Sequence, residues 1–289
     1  MNLTSPNPSK FRRTTLWITL VFASVAFVFP LVWMLATSWK PADQAASAAF
    51  SLLADPASST PHHAQQNYTA VWNDPAIDFP LYLRNTLVVA LLSVTGMTLS
   101  SAIVAYGLTR IVWKGKSAVF FTVLISMMIP FPVLMVPLYL VFRQLGWIDT
   151  LKPLWVPAWF GGAFNIFMLR QFFLGIPKDL SEAARVDGAG HWTIFWRIIL
   201  PLSKPALAVV ALFHFIFVWN DFLGPMIFIN KPDQRTLALG LQLYQSKAGL
   251  TPWHLLMAAS TLVALPVLVL FLLTQRLLVK GVSAEGLKE

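Results

Sequence analysis

Six runs of about twenty or more predominantly apolar residues, near 15–38, 85–109, 117–142, 154–174, 205–229 and 255–279, dominate this 289-residue chain. A hydrocarbon core of ~30 Å takes ~20 residues of helix to cross, so runs of this length point to membrane-spanning helices. The fold class expected is therefore all-α and integral to a membrane, with six transmembrane helices. Composition agrees: 57% hydrophobic residues, 11% charged residues and a mean hydropathy of +0.66 describe a chain whose solvent is mostly lipid. The first run follows Lys10, Arg12 and Arg13, as a signal peptide would. Its apolar stretch is much longer than the ~7–15 residues of a signal's hydrophobic region, so it reads as a retained span.

A net charge of +9 raises the question of nucleic acid. The basic residues sit at the ends of the apolar runs and form no stripe, so they read as topology signals, and no nucleic-acid partner is expected. With both termini in the cytoplasm, fourteen Lys and Arg fall on cytoplasmic flanks and seven outside. That is the bias a multi-pass inner-membrane protein shows. The expected organisation is a cytoplasmic N-terminus 1–14, a transmembrane domain 15–279 and a cytoplasmic tail 280–289. The stretch 41–80 is an external loop able to hold short helices. His62 and His63 in that loop read as solvated residues, because no third ligand stands at a suitable spacing, and no metal site is expected. Cysteine is absent, which rules out disulfides and thiolate metal sites.

The most informative segment lies between the fourth and fifth runs, 176–204, and reads IPKDLSEAARVDGAGHWTIFWRIILPLSK. Ser181-Glu182-Ala183-Ala184 is a helix-forming run preceded by Pro177 and Asp179, while Gly188 and Gly190 permit a sharp turn. Trp192, Phe195, Trp196 and Ile199 then recur at helical spacing and predict one bulky apolar face, before Pro201 and Pro205 lead into the fifth span. Two short helices joined at glycine make a protruding knuckle.

Glu182-Ala183-Ala184, Asp187-Gly188-Ala189, then Ile198-Ile199-Leu200-Pro201-Leu202 and Pro205 resemble the EAA loop of ABC importer permeases. Asn67-Tyr68, Arg84-Asn85-Thr86, Pro130, Pro137-Leu138-Tyr139, Gly146, Asp149-Thr150, Trp219-Asn220-Asp221-Phe222 and Lys280-Gly281 extend the likeness to the maltose-type carbohydrate permeases. The chain is similar to the six-span subunit with a short tail, although its 41–80 loop is longer than usual there. The resemblance implies a type I ABC importer permease fold and an inner-membrane location. The partners it implies are a second permease subunit, an ATPase dimer docked at the coupling loop and an extracytoplasmic solute-binding protein, all around a membrane-embedded chain. It assigns ATPase coupling to Glu182, Ala183, Ala184, Asp187, Gly188, Ala189 and Pro201, with Glu182 facing the ATPase. ATP and Mg belong to that ATPase, and no cofactor is expected in this chain. An amphipathic loop lying on lipid headgroups would also carry an apolar face with Arg185, Arg197 and Lys204; agreement of motif and context favours coupling.

Polar groups at membrane depth face protein or water, so Asn165, His214, Trp219, Asn220 and Asp221 are candidates for a solute path. His214 and Asp221, seven residues apart, would share a helix face, and Trp219 would stack on a sugar ring nearby. The alternative is that His214 bonds a neighbouring helix and Asp221 caps the end of its span. Pro130, Pro132 and Pro266 predict kinks within spans three and six. Phe120-Phe121 and Met127-Met128 read as lipid-facing or interhelical packing. No phosphate-binding, zinc-protease or serine-hydrolase motif is present, so the chain reads as a transporter subunit and not an enzyme. The rival reading is an ion-coupled secondary transporter of a polar solute, a class marked by inverted repeats and interrupted helices.

Overall fold

The structure, a computed structural model, describes residues 10–47, 61–245 and 251–285, with side chains described over 12–47, 63–245 and 251–275. Among the described residues all regular structure is helical. In chain order the elements are α1 (Lys10–Ser38), α2 (Ala42–Ala46), α3 (Pro61–Trp72), α4 (Phe79–Arg110), α5 (Lys116–Ser126), α6 (Phe131–Gln144) and α7 (Lys152–Trp155). A 3-10 turn over Val156–Phe160 leads to α8 (Ala163–Gly175), α9 (Asp179–Val186), α10 (His191–Ile194), a π-helical turn Phe195–Ile199 and α11 (Leu200–Leu202). The remaining helices are α12 (Lys204–Trp219), α13 (Leu223–Phe228), α14 (Leu237–Gln245) and α15 (Trp253–Glu285).

All six apolar runs fall on helical segments, but three of the six expected spans are broken, the third where its prolines predict a kink and the fourth and fifth without such a signal. Among the described residues, α1, α4 and α15 alone are single helices long and apolar enough to cross a bilayer. In the third run α5 stops at Ser126 and α6 restarts beyond Pro130, the two axes differing by 100°. Pro130 and Pro132 thus end one helix and start the next, because neither can donate a backbone hydrogen bond. Pro266, in contrast, stays inside the continuous α15. The fourth run is divided by Gly161, which sits at φ +84°, and Gly162. Backbone freed there is met by α4: the Ser101 hydroxyl accepts from the Gly162 amide at 3.3 Å, and the Ser100 hydroxyl lies 3.3 Å from the Ala158 carbonyl. Such satisfaction by neighbours is what lets irregular backbone exist at membrane depth. The fifth run loses its helix at Trp219, leaving Asn220 and Asp221 outside both α12 and α13.

The chain divides into two compact units, Met1–Ile77 with Leu243–Ala264, and Asp78–Gln242 with Leu265–Glu289. In the first, Asn67 donates from Nδ2 to the carbonyls of Ser38 and Lys40, both at 2.9 Å, and the Tyr68 hydroxyl meets that of Ser38 at 2.8 Å. The Asn67-Tyr68 pair therefore fastens the end of α1. The stretch 41–80 holds α2 and α3, its residues 48–60 lying outside the described set. The side chain of His62 is also outside it, and that of His63 bonds Gln66 at 3.2 Å.

In the second unit Asn85 repeats the device, donating to the carbonyls of Asp233 and Arg235 at 2.9 Å each, while the Thr86 hydroxyl accepts from the Leu237 amide. Asp149, at φ +62°, accepts from the amides of Asn230 and Lys231. The Asn230 amide chiefly holds that exposed carboxyl below the usual range. Phe120 stacks on Phe167 and under the Arg170 guanidinium, whereas Phe121, Met127 and Met128 are exposed, as packing and lipid-facing residues would be.

Candidate functional site

The knuckle is built on α9. Asp179 and Glu182 occupy its first turn, where carboxylates complement the unpaired amides of a helix start. At its other end the Gly188 amide bonds the Arg185 carbonyl at 3.0 Å and the Ala189 amide bonds that of Ala184 at 2.8 Å. This pair of bonds is a Schellman cap, which needs a left-handed residue between them. Gly188 supplies it at φ +83°. Gly190 has an ordinary extended φ of −72°, so of the two expected turn glycines only Gly188 is demanded by the backbone. Glu182, Ala183, Asp187 and Gly188 are exposed, while Ala184 and Ala189 are half-buried against the core beneath.

Past the turn, the expected apolar face of Trp192, Phe195, Trp196 and Ile199 is divided. Ile194, Phe195 and Ile199 are buried with Tyr106, Leu169, Phe173 and Val210, but Trp192 and Trp196 are 63% and 50% exposed. The inner face takes Ile194, Phe195, Ile198 and Ile199, at i, i+1, i+4 and i+5, and Trp192 and Trp196, four apart, lie outside it. Phe195–Ile199 forms a π turn, the Leu200 amide reaching back to the Phe195 carbonyl. Pro201 follows at once; its ring would collide with the Arg197 carbonyl in a regular α turn. Pro201 itself is exposed.

Four residues that fix the knuckle, Arg110, Arg185, Tyr106 and His191, were invisible as site residues in the sequence. Arg110, buried at the end of α4, donates from Nη2 to the carbonyls of Phe173 and Ile176, each at 2.6 Å. Its own carbonyl accepts from Arg185 Nη2 at 3.3 Å. The Tyr106 hydroxyl meets His191 Nδ1 at 3.2 Å, and the Tyr106 ring lies 5.2 Å from that of Phe195. By charge counting Arg110 was only a topology signal; its place immediately after the end of the 85–109 apolar run was the sole hint of a capping task.

The second candidate region is a cavity of about 810 Å³ within the same unit. His214, Asn220 and Asp221 line it, together with Ser93, Phe131, Phe142, Phe217 and other apolar side chains. The helical-wheel argument for His214 and Asp221 fails, since α12 ends between them, yet both line the cavity because the chain turns there. His214 Nε2 meets the Ser93 hydroxyl at 2.8 Å, and Asp221 Oδ1 accepts from the Gly224 amide at 3.0 Å, capping α13. Each thus has a structural partner while bordering the cavity. Trp219 is not available as a stacking platform: it is 2% exposed and stacks on Phe215. Asn165 is buried in α8 and does not line the cavity.

Comparison with known proteins agrees with this geometry. The chain is 34% identical to the trehalose/maltose transport system permease protein MalG of Thermococcus litoralis, over 96% of this chain and 97% of that one. It is 32% identical to the arabinooligosaccharides transport system permease protein AraQ of Halalkalibacterium halodurans, over 94% and 95% of the two chains. A crystal structure of a bacterial ABC transporter involved in importing the acidic polysaccharide alginate contains a chain that superposes with a TM-score of 0.81. The superposition covers 94% of this chain and 99% of that one at 22% identity, a likeness of fold. The family described as binding-protein-dependent transport system inner membrane component matches residues 96–284, a stretch that contains the Schellman-capped knuckle, and this chain belongs to that family.

Proposed function

We propose that this chain is one of two permease subunits of an ABC importer for a sugar or related polar solute, itself without enzymatic activity. The observation that carries this reading is the exposed turn Glu182–Ala189, rigidly capped and anchored on a buried core, which is what a protein-docking knuckle needs and a headgroup-resting loop does not. Glu182, Ala183, Asp187 and Gly188 present the surface to a cytoplasmic ATPase dimer, which binds ATP and Mg. Ala184 and Ala189 seat the turn, and Pro201 sets the register of the segment behind it. Both termini lie in the cytoplasm, in keeping with the split of basic residues. An extracytoplasmic binding protein delivers solute to the opposite face. The sugar class rests on the relatives whose names give trehalose, maltose and arabinooligosaccharides.

The cavity bordered by His214, Asn220 and Asp221 is this subunit's share of the path. In a chain without cysteine, His214→Cys and Asp221→Cys are each expected to react with a small charged thiol reagent added from outside in an outward-facing state. Position 214 unreactive in every transport state would return His214 to a packing role. Affinity purification of the tagged chain from membranes, with mass spectrometry, tests the assembly. Recovery of a second permease and an ATPase in stoichiometric amounts is expected, and recovery of this chain alone from gentle detergent contradicts it.

A further inference from the structure

Arg110 stands where three pieces of chain meet. Its side chain gathers the carbonyl end of α8 at Phe173 and Ile176, its backbone closes α4, and its carbonyl holds Arg185 of α9. A guanidinium suits this task because its donors lie in a fixed planar fork; a lysine ammonium offers a point charge on a flexible stem. The residue is 9% exposed and its Nε has no partner among the described residues, so the Nη atoms do the work while Nε bears a desolvation cost. Tyr106, one turn earlier on α4, touches the other side of the knuckle through His191 and Phe195. The knuckle is therefore tied to α4 at two levels, at Arg110 through α9 and at Tyr106 through the segment that follows it. The same helix carries Ser93 and Met97 into the lining of the cavity.

We infer that Arg110 is a positioning residue that makes α4, α8 and the α9 knuckle one rigid lever, through which movement of the docked ATPase reaches the solute cavity. This inference rests on the permease reading above. Arg185 is the second link of the lever and, unlike Arg110, is itself exposed. Arg110→Gln removes the tie between α4 and the end of α8, three residues before α9, and leaves the residue-110 carbonyl in place; Arg185→Gln removes the tie of α9 to that carbonyl. Each is expected to leave the knuckle folded on its apolar core while loosening it against α4.

The test uses the whole purified complex in proteoliposomes, with cysteines introduced into this cysteine-free chain. Spin labels at Ile103→Cys on α4 and Val186→Cys at the end of α9, both exposed, report the lever's rigidity. A narrow distance distribution is expected with Arg110 present, at least doubling in width in Arg110→Gln and in Arg185→Gln. In a separate sample, the reaction of Asn220→Cys with a small methanethiosulfonate reagent reports the cavity. With Arg110 present its rate is expected to change about tenfold when ATP is trapped with vanadate. In Arg110→Gln the change should fall below about twofold while the ATPase stays bound, and Arg110→Lys should be intermediate. An unaltered distance distribution in Arg110→Gln overturns the inference, as does a broadened one with an undiminished response at position 220. If position 220 fails to respond to trapped nucleotide even with Arg110 intact, the permease reading fails instead, and the distance distribution alone decides whether Arg110 holds the lever.

Discussion

Gly188→Pro is expected to abolish solute uptake while the chain still reaches the membrane in normal amount. Position 188 sits at φ +83°, whereas proline is fixed near −65°, and its amide bonds the Arg185 carbonyl, which proline cannot do. Nothing lies within 4 Å of the position a Cβ would take, so the effect is one of backbone alone. Two controls separate it from general sensitivity. Gly188→Asn should retain most uptake, because asparagine visits the left-handed region at small cost where other residues lose roughly 1–2 kcal/mol. Gly190→Ala should be nearly silent, since Gly190 has an ordinary backbone. Glu182→Lys should resemble Gly188→Pro in uptake for a different reason: an exposed charge on the docking face is inverted and the helix start loses a favourable carboxylate. Recovery of the ATPase with the chain should fall in both. Normal uptake together with normal ATPase recovery in Gly188→Pro would contradict the coupling assignment.

The second large effect is expected from Phe195→Ala. This ring is 1% exposed and packs on Tyr106, Trp192 and Trp196 with centroid separations of 5.2, 6.0 and 5.4 Å. Truncating a buried phenylalanine costs about 3–5 kcal/mol when the site cannot collapse. The loss should fall on the knuckle, whose neighbouring buried anchors Ile194 and Ile199 flank this ring, and appear as rapid proteolytic cleavage between α9 and α12 with α4 and α15 intact. Uptake should be lost. Phe195→Leu keeps most of the volume and should cost under about 1.5 kcal/mol. If Phe195→Ala and Phe195→Leu behave alike, the ring does not anchor the knuckle.

Much of this was legible in the sequence because lipid simplifies the code. Apolar runs of span length announce helices whatever their partners, and the knuckle announced itself through a helix-forming run, a glycine and a repeated aromatic period. Pro130 and Pro132 announced the break in the third run, but the helix ends inside the fourth and fifth runs were not placed by the pattern. The break at Gly161-Gly162 leaves hydropathy nearly unchanged and is met from α4 by Ser100 and Ser101, while the one after Trp219 falls on the polar pair Asn220-Asp221, whose carboxylate takes the Gly224 amide at the start of the next helix. The helical wheel that paired His214 with Asp221 failed for that reason, though both still reach one cavity. Trp219 was misjudged because an aromatic ring beside polar residues says nothing of whether its face is already covered, here by Phe215. The buried face runs through Ile194, Phe195, Ile198 and Ile199 and leaves Trp192 and Trp196 exposed; two neighbouring stripes of this segment are apolar, and periodicity alone does not rank them. Motif residues such as Asn67 and Asn85 were recognisable, but their work, each closing two carbonyls of another segment, required the fold. Of the tail 280–289, the backbone continues α15 to Glu285, and its side chains lie outside those described.

The most direct measurement of the central claim is uptake by proteoliposomes containing the purified complex, offered a panel of sugars and related polar solutes in turn. Accumulation of at least one of them is expected to require ATP on the side of the knuckle and the binding protein on the other. It should cease in Glu182→Lys and be indifferent to ionophores that collapse proton and sodium gradients. Uptake by vesicles holding this chain without any ATPase, driven by an imposed ion gradient, would contradict the account and establish the ion-coupled alternative.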